Sequence, residues 1–397
     1  MLEIKMDMVQ TIGLAVIALL VGTILKRKVK FFETYSIPAP VIGGFLFAII
    51  NLILNTSGLV KFTFDNTLQS FFMTMFFTSI GFNASWKLLK KSGSKVILFL
   101  VAAVGLVVAQ NLTALGVGKL LGIDPLLALM TGSIPMTGGH GTSAAMAPIA
   151  EEAGVTGAAT VAIAAATFGL IAGSSLGGPM ANLLIRRKNI EIKAEDDSTS
   201  SEDVISAKVK ELNAEHFIKA FFVILIAMFV GSYVSTFFAK FVTIPSYIGP
   251  MLVAAVIRNI ADNFKKRSIH YEEIRVIEEV SLNIFLGMAM ITLRMWELGG
   301  VLGSLAILLI AQVVLAWIYV YFVTFRLMGG NYDAVVMAAG HMGFGLGATP
   351  NGMANMKSVT EKFEYSKMGF FVLPIVGALF IDFFNASIIT VFISFFK

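Results

Sequence analysis

Apolar runs of about 20 residues recur along the whole sequence, and no other feature restricts the fold as strongly. An α-helix of that length crosses roughly 30 Å of hydrocarbon. Inside lipid every backbone N–H and C=O needs a partner within the protein, which leaves helices and closed barrels as spanning structures. The short alternating segments of a barrel are not visible. Of the 397 residues, 57% are hydrophobic and 14% charged, whereas a soluble domain is nearer 45–50% apolar and about 25% charged. The mean hydropathy is +0.83. The expected fold class is an all-α polytopic membrane protein, with the lipid bilayer as its surroundings.

Ten spans are expected, at about 8–25, 37–55, 68–85, 95–117, 156–185, 217–239, 246–262, 276–294, 300–325 and 368–396. Alternate connections between them are strongly basic. One side holds Lys26 to Lys30, Lys87 to Lys95, Arg186 to Lys219, Arg258 to Arg275 and Arg326 to Lys367, which together are 24 of the 30 Lys and Arg residues. Positive charge stays cytoplasmic, so both termini are expected outside. The net charge of +5 follows from that placement, and no nucleic-acid partner is expected. The absence of cysteine excludes disulfides, thiolate catalysis and Cys-ligated metal centres. The first run lacks a small-residue cleavage site and is followed by Lys26-Arg27-Lys28, so it reads as a retained helix rather than a signal peptide.

A polar stretch over 186–216, with an acidic and Ser-rich centre at Glu195–Asp203, divides the chain and reads as a cytoplasmic linker. The halves on either side, 1–185 and 217–397, echo each other. Ile37-Pro38 followed by Gly43-Gly44 is answered by Ile244-Pro245 followed by Gly249-Pro250. Trp86, Leu88, Gly93, Ser94, Ile97 and Leu98 each recur 210 residues later, at Trp296, Leu298, Gly303, Ser304, Ile307 and Leu308. Each half has five spans, an odd number, so the second half starts on the opposite side. The expected architecture is two inverted-topology repeats, an arrangement common among secondary transporters.

Between the fourth and fifth spans of each half lies a Gly-rich interruption. The first, at about 125–150, contains Thr137-Gly138-Gly139-His140-Gly141-Thr142-Ser143. The second, at about 333–356, contains Gly340, His341, Gly343, Gly345, Gly347, Thr349 and Asn351. The first limb of the first, Pro125–Pro135, reaches only about half the membrane at 1.5 Å per residue. Both read as re-entrant hairpins entering from opposite faces, with tips meeting near the middle. Irregular backbone at that depth survives only when buried in protein or lining a cavity. Exposed N–H groups and helix N-termini attract carboxylates, and free carbonyls with Thr and Ser hydroxyls offer oxygens to sodium.

Asp382 in the last span, with Asn385 three residues on, is a candidate sodium ligand, because an intramembrane carboxylate is costly unless paired. Arg294 beside Trp296 suits an interfacial anchor, with pairing to a substrate carboxylate as the alternative. His140 and His341 suit hydrogen bonding to loop backbone better than metal, since no carboxylates stand at ligand spacing. Gln110, Asn111, Asn83, Asn182 and Gln312 are polar enough to line a cavity, although hydrogen bonds between helices also explain them.

The strings GGHGTSAA, GHMGFGLGATP, TIGLAVIALLVG with KRK, NYDAVVMAAGH and LPIVGALFIDFFNA resemble the bacterial sodium:glutamate symporter family over nearly the whole chain. The resemblance implies import of L-glutamate with sodium as coupling ion, and no other cofactor. It also implies two re-entrant loops, a homodimer in the bacterial inner membrane and an elevator-like movement. Arg294 stands where Lys is as readily expected, a change that keeps the charge. Three rival readings are a channel, a carrier of another small dicarboxylate or hydroxycarboxylate, and a hydrolase built on Ser143 near His140. The hydrolase lacks a strand–Ser–helix elbow and an acid.

The topology is open to direct measurement in this cysteine-free chain. Single cysteines within 195–203 are expected to react only from the cytoplasm and one at residue 2 only from outside. Linker labelling from outside would reverse the orientation.

Overall fold

The computed structural model describes residues 2–35, 37–91, 93–192, 212–239, 245–263, 269–296 and 302–396. The acidic centre of the linker, and the repeat positions Ile244 and Leu298, lie outside them. The chain is predominantly helical. In order, α1 is Met8–Lys28, α2 Lys30–Thr34, α3 Ala39–Thr56, α4 Thr67–Asn83, α5 Trp86–Lys91 and α6 Gly93–Leu120. Then come α7 at Pro125–Leu129, α8 at Ser133–Met136, α9 at Gly139–Glu152 and α10 at Ala158–Lys188. The second half holds α11 at Ala214–Phe238, α12 at Ile248–Asn263, α13 at Tyr271–Ile291 and α14 at Leu302–Tyr319. A π turn at Val320–Thr324 leads into α15 at Phe325–Leu327. The chain ends with α16 at Tyr332–Leu346, α17 at Thr349–Lys362, α18 at Lys367–Leu379 and α19 at Ile381–Phe396.

A helix lies at every expected span. Among the described residues six are long and apolar enough to cross a membrane: α1, α3, α6, α10, α11 and the α14–α15 run. The pair α18–α19 makes a seventh if its 45° bend is taken as one broken span. The helices at the three remaining places, α4, α12 and α13, are 17, 16 and 21 residues long. The last of these begins with Glu272, Glu273 and Arg275, which dilute its apolar character. The last span differs from expectation. It is interrupted at Phe380, so Asp382 sits in the first turn of α19 rather than midway along a continuous helix.

Local rules account for where helices start and stop. The Asp7 side chain accepts from the N–H groups of Val9 and Gln10 at 2.9 and 2.8 Å, and the Gln10 side chain accepts from the Asp7 N–H at 3.1 Å. That reciprocal capping box satisfies donors that lack intrahelical partners. Lys26, Arg27 and Lys28 close α1, where cations complement the helix dipole.

One feature lies outside the all-helical expectation. Residues Leu2–Met6 and Val60–Phe64 form a parallel two-stranded ribbon, β1 and β2, with Leu2 opposite Val60 and Met6 opposite Phe64. The period-2 alternation Val60-Lys61-Phe62-Thr63-Phe64 is the sequence signal for it. Phe47 of α3 packs edge-on against the stacked rings of Phe62 and Phe64, which supports a ribbon too short to stand alone.

The long helices sort into two bodies. In the first, α1 packs on α3 and α13, α4 on α12 and α13, and α11 on α12. In the second, α10 packs on α9, α16 and α17, α6 on α14, α18 and α19, and α16 on α17 and α18. Between bodies the contacts are few, chiefly α9 on α13, and α4 and α12 on α18–α19. The first three long helices of each half therefore build one body, and the rest of each half builds the other.

Within the first body, α1 and α3 touch backbone to backbone. A Cβ on Gly22 would overlap the Ala39 carbonyl, and one on Gly43 the Ala18 carbonyl. This close approach needs small residues. Gly43→Val is therefore expected to remove most folded protein from detergent extracts. Gly13→Ala, with nothing within 4 Å of its new methyl, is expected to leave yield and melting midpoint unchanged or slightly raised. Equal behaviour of the two would show that the contact is dispensable.

Candidate functional site

The two Gly-rich interruptions are breaks between helices, and the breaks meet. In the first, α8 ends at Met136 and α9 starts at Gly139, whose φ of +63° turns the chain in a way L side chains rarely adopt. In the second, α16 ends at Leu346 and α17 starts at Thr349, with Gly347 in neither helical nor extended backbone and Ala348 extended between them. A methyl on Gly139 would lie 3.5 Å from the Gly347 carbonyl oxygen.

Gln110, buried within α6, ties the breaks together. Its Oε1 accepts from the Thr137 hydroxyl at 2.8 Å, and its Nε2 donates to the Gly345 carbonyl at 2.6 Å. Gln312 of α14 donates to the Gln110 backbone carbonyl at 2.9 Å. One residue along, Asn111 Oδ1 accepts from the Ser133 N–H at 3.0 Å, and Asn385 Nδ2 donates to the Ser133 carbonyl at 3.2 Å. Asn351 Nδ2 donates to the Ser174 hydroxyl at 2.6 Å and the Leu170 carbonyl at 3.0 Å. Asn355 Nδ2 donates to the Gly173 carbonyl at 2.9 Å. The amides of Gln110 and Asn111 thus take up backbone groups that the interrupted helices leave without ladder partners, while those of Asn351 and Asn355 fasten α17 to α10.

Several buried polar atoms beside the breaks nevertheless have no protein partner: Ser133 Oγ, Asn111 Nδ2, Asn385 Oδ1, Asn351 Oδ1, Gln312 Oε1 and His341 Nε2. Buried polar atoms are seldom left so, and a concentration of them marks places where water or ligand belongs. Neither α9 nor α17 has a side chain capping its first N–H groups. Each is 14 residues long and directs the positive end of its dipole at its break.

The other expected site residues fall into distinct places. Gly138, His140, Thr142 and Ser143 begin or border α9, and the Ser143 hydroxyl donates to the Ala162 carbonyl at 3.3 Å. His140 Nε2 is 3.0 Å from the Thr167 hydroxyl, which itself donates to the Ile163 carbonyl at 2.9 Å. Thr167 therefore uses its proton on that carbonyl, and His140 Nε2 is the donor. His341 Nδ1 meets the Thr324 hydroxyl of the π turn at 2.8 Å, with the ring set among Phe99, Phe344 and Tyr319. No group of three His, Cys, Asp or Glu able to hold a metal occurs among the described residues.

The glycines divide by role. Gly141 faces Leu282 and Phe76 of the first body, so the first break borders the seam between bodies. Gly340 and Gly343 lie inside α16, and Gly345 stands next to its last residue, Leu346. A Cβ on Gly343 would press on the Asn351–Gly352 backbone at 2.6 Å, and one on Gly345 on Leu106 at 2.6 Å. These glycines let α16 lie close to its neighbours. Gly347 is at the break, and Thr349 packs against Gly377.

Asp382 and Asn385 share the start of α19. Asn385 reaches the first break through Ser133, while Asp382 stands near enough to Glu278 of α13 for their charges to interact across the seam. Asn83 Nδ2 donates to Glu278 Oε2 at 3.3 Å. Sequence reasoning misses Glu278, which hides among Glu272, Glu273, Arg275 and Glu279. It also misses Ser133 and Thr324, which have no signal beyond their places. Arg294 is not brought to the breaks. It lines a separate cavity, and its carbonyl accepts from the Thr160 hydroxyl at 3.3 Å.

Interrupted helices that meet in a buried polar centre, within a helical membrane protein of two bodies, define a membrane carrier. Comparison with known proteins narrows the class. The family profile described as Sodium/glutamate symporter matches residues 4–365. Sodium/glutamate symporters of Haemophilus influenzae and Escherichia coli are each 38% identical to this chain. The first aligns over 96% of both chains and the second over 98%. The chain belongs to the sodium/glutamate symporter family.

The Gln110 bridge has a measurable consequence. Gln110→Leu leaves the Thr137 hydroxyl and the Gly345 carbonyl without their shared partner, at a cost of about 1–3 kcal/mol per stranded group. The purified variant is expected to melt several degrees lower and to lose transport. A wild-type melting midpoint would mean the bridge does not hold the breaks together.

Proposed function

We propose that this protein imports L-glutamate with sodium by alternating access, with both ligands held where the two breaks meet. The observation that carries the placement is the junction of Gly139 with Gly347 under the Gln110 bridge, supported by the family's name. The uncapped N-terminus of α9 suits a carboxylate of glutamate; at α17 Pro350 has no N–H and those of Asn351 and Gly352 already donate to the Ala348 carbonyl, which leaves that end its dipole alone. The unpartnered oxygens of Ser133, Asn385, Asn351 and Gln312, with Thr137 and Asp382 close by, suit sodium, a hard cation that prefers oxygen.

The ten-span topology, the two inverted repeats and the re-entrant entry of the breaks from opposite faces belong to the same proposal. Their support is the charge asymmetry of the connections and the matching place of the breaks in each half. The two bodies suit an elevator: α6–α10 with α14–α19 carries the ligands, while α1, α3, α4 and α11–α13 forms the fixed wall. Few contacts across the seam, and a ligand centre wholly on one side of it, favour this division. A homodimer in the bacterial inner membrane, both termini outside, completes the picture. A carrier of another small dicarboxylate would use the same groups and is separated by competition with unlabelled solutes.

Labelled L-glutamate is expected to accumulate in proteoliposomes only under an inward sodium gradient. Asp382→Asn keeps shape but removes charge, and is expected to raise the sodium concentration for half-maximal uptake steeply or to stop uptake. Accumulation without sodium would refute the coupling. Unchanged sodium dependence in the variant would assign Asp382 to packing.

A further inference from the structure

A cleft of about 300 Å³ opens between the two bodies. The first body lines it with Gln69 and Ser70 of α4 and with Ser246 and Tyr247 just before α12, the second with Ala145 and Pro148 of α9. Ser70 and Ser246 are exposed and form its mouth, while Ala145 and Tyr247 are buried and form its floor. Gln69 Oε1 is buried there without a hydrogen-bond partner, an acceptor where a donor belongs. A cavity of this size can take a small organic solute. The connections at this end are those poor in Lys and Arg, the end read above as outside.

The cleft leads toward the first break. Gly141, Ala145 and Pro148 are spaced i, i+4, i+7 and share one face of α9. That face meets the first body at two levels. At the break, a Cβ on Gly141 would lie 3.2 Å from Leu282 and 3.6 Å from Phe76. Further along, Ala145 and Pro148 line the cleft. A chain of aromatic rings from the first body joins the two levels. Tyr247 stacks on Phe77 at 4.1 Å, Phe77 meets Phe76 edge-on at 5.1 Å, and Phe76 leans on Phe285 at 5.7 Å. At the cleft end of this chain the Tyr247 hydroxyl crosses the seam and donates to Met146 Sδ of α9 at 3.0 Å. A thioether sulfur is a weak acceptor, so the bond is easily given up.

We propose that this cleft is the external entrance to the breaks and that Tyr247 closes it. The role of entrance rests on the carrier reading above; the closed floor rests on the contacts of Tyr247. Opening requires the second body to slide along the first. Gly139 and Ala145 are six residues apart on α9, so a slide of about 9 Å brings the first break to the level of the cleft. Tyr247 then loses Met146, and an ammonium-bearing solute in the cleft meets Gln69 Oε1 as an acceptor.

The full-length, cysteine-free protein in right-side-out membrane vesicles tests this with an impermeant methanethiosulfonate. Ser70→Cys should react quickly and Ala145→Cys slowly. Tyr247→Ala should speed the reaction at position 145 about tenfold, and Tyr247→Phe, which keeps the ring stack and removes only the bond to Met146, about threefold. Neither should alter the rate at position 70. Complete modification at position 145 should stop sodium-driven glutamate uptake. A rate at position 145 indifferent to both Tyr247 variants would overturn the closing role, and Tyr247→Phe secures that comparison if Tyr247→Ala does not fold. Undiminished uptake after modification at position 145 would overturn the entrance. Reaction at both positions only in inside-out vesicles would overturn its external placement. The expected labelling pattern in a protein that takes up no glutamate would uphold the closed cleft and remove the carrier reading.

Discussion

Everything at the centre of this protein follows from one constraint: a helix that stops inside a membrane leaves backbone groups that water cannot reach. The side-chain amides of Gln110 and Asn111 meet that demand at the breaks, while those of Asn351 and Asn355 tie α17 to carbonyls inside α10. An amide suits the task because it donates at one end and accepts at the other, and it carries no charge to desolvate. Gln110 uses both ends, accepting a hydrogen bond from one break and donating one to the other. The breaks are therefore held at a common point by a group belonging to neither. What remains unpaired around them is where the ligands are proposed to bind.

The two-body arrangement follows from the same place. Satisfying the breaks requires α6, α10, α14 and α16–α19 to pack around them, and this uses their buried faces. The other helices pack on one another through small residues such as Gly22 and Gly43. Where the bodies face each other, Glu278 stands opposite Asp382.

Much of this can be read from the sequence because membrane helices announce themselves. The apolar runs, the basic ends and Gly-rich breaks all correspond to structural features, although the second break is confined to Gly347 and Ala348, with Gly340 and Gly343 inside α16. The π turn at Thr324, the bend at Phe380 and the partnership of Glu278 with Asp382 are set by contacts between distant segments, and no local pattern encodes them. Glycines show the limit well. Gly139 and Gly343 look alike in sequence, yet one turns the chain and the other makes room for the Asn351–Gly352 backbone. Arg294 shows it too: its charge and position are plain, but only the folded chain puts it beside Lys61 and Asn51 instead of at the breaks.

The parallel ribbon has a bearing on biogenesis. β1 precedes α1 and β2 follows α3, so the strands can meet only if the two helices cross the membrane in opposite senses. Were either helix to insert the wrong way round, the strands would be stranded on opposite faces of the bilayer. Pairing of Leu2–Met6 with Val60–Phe64 is thus compatible with one relative orientation of α1 and α3 only, and the ribbon ties that orientation into the folded chain.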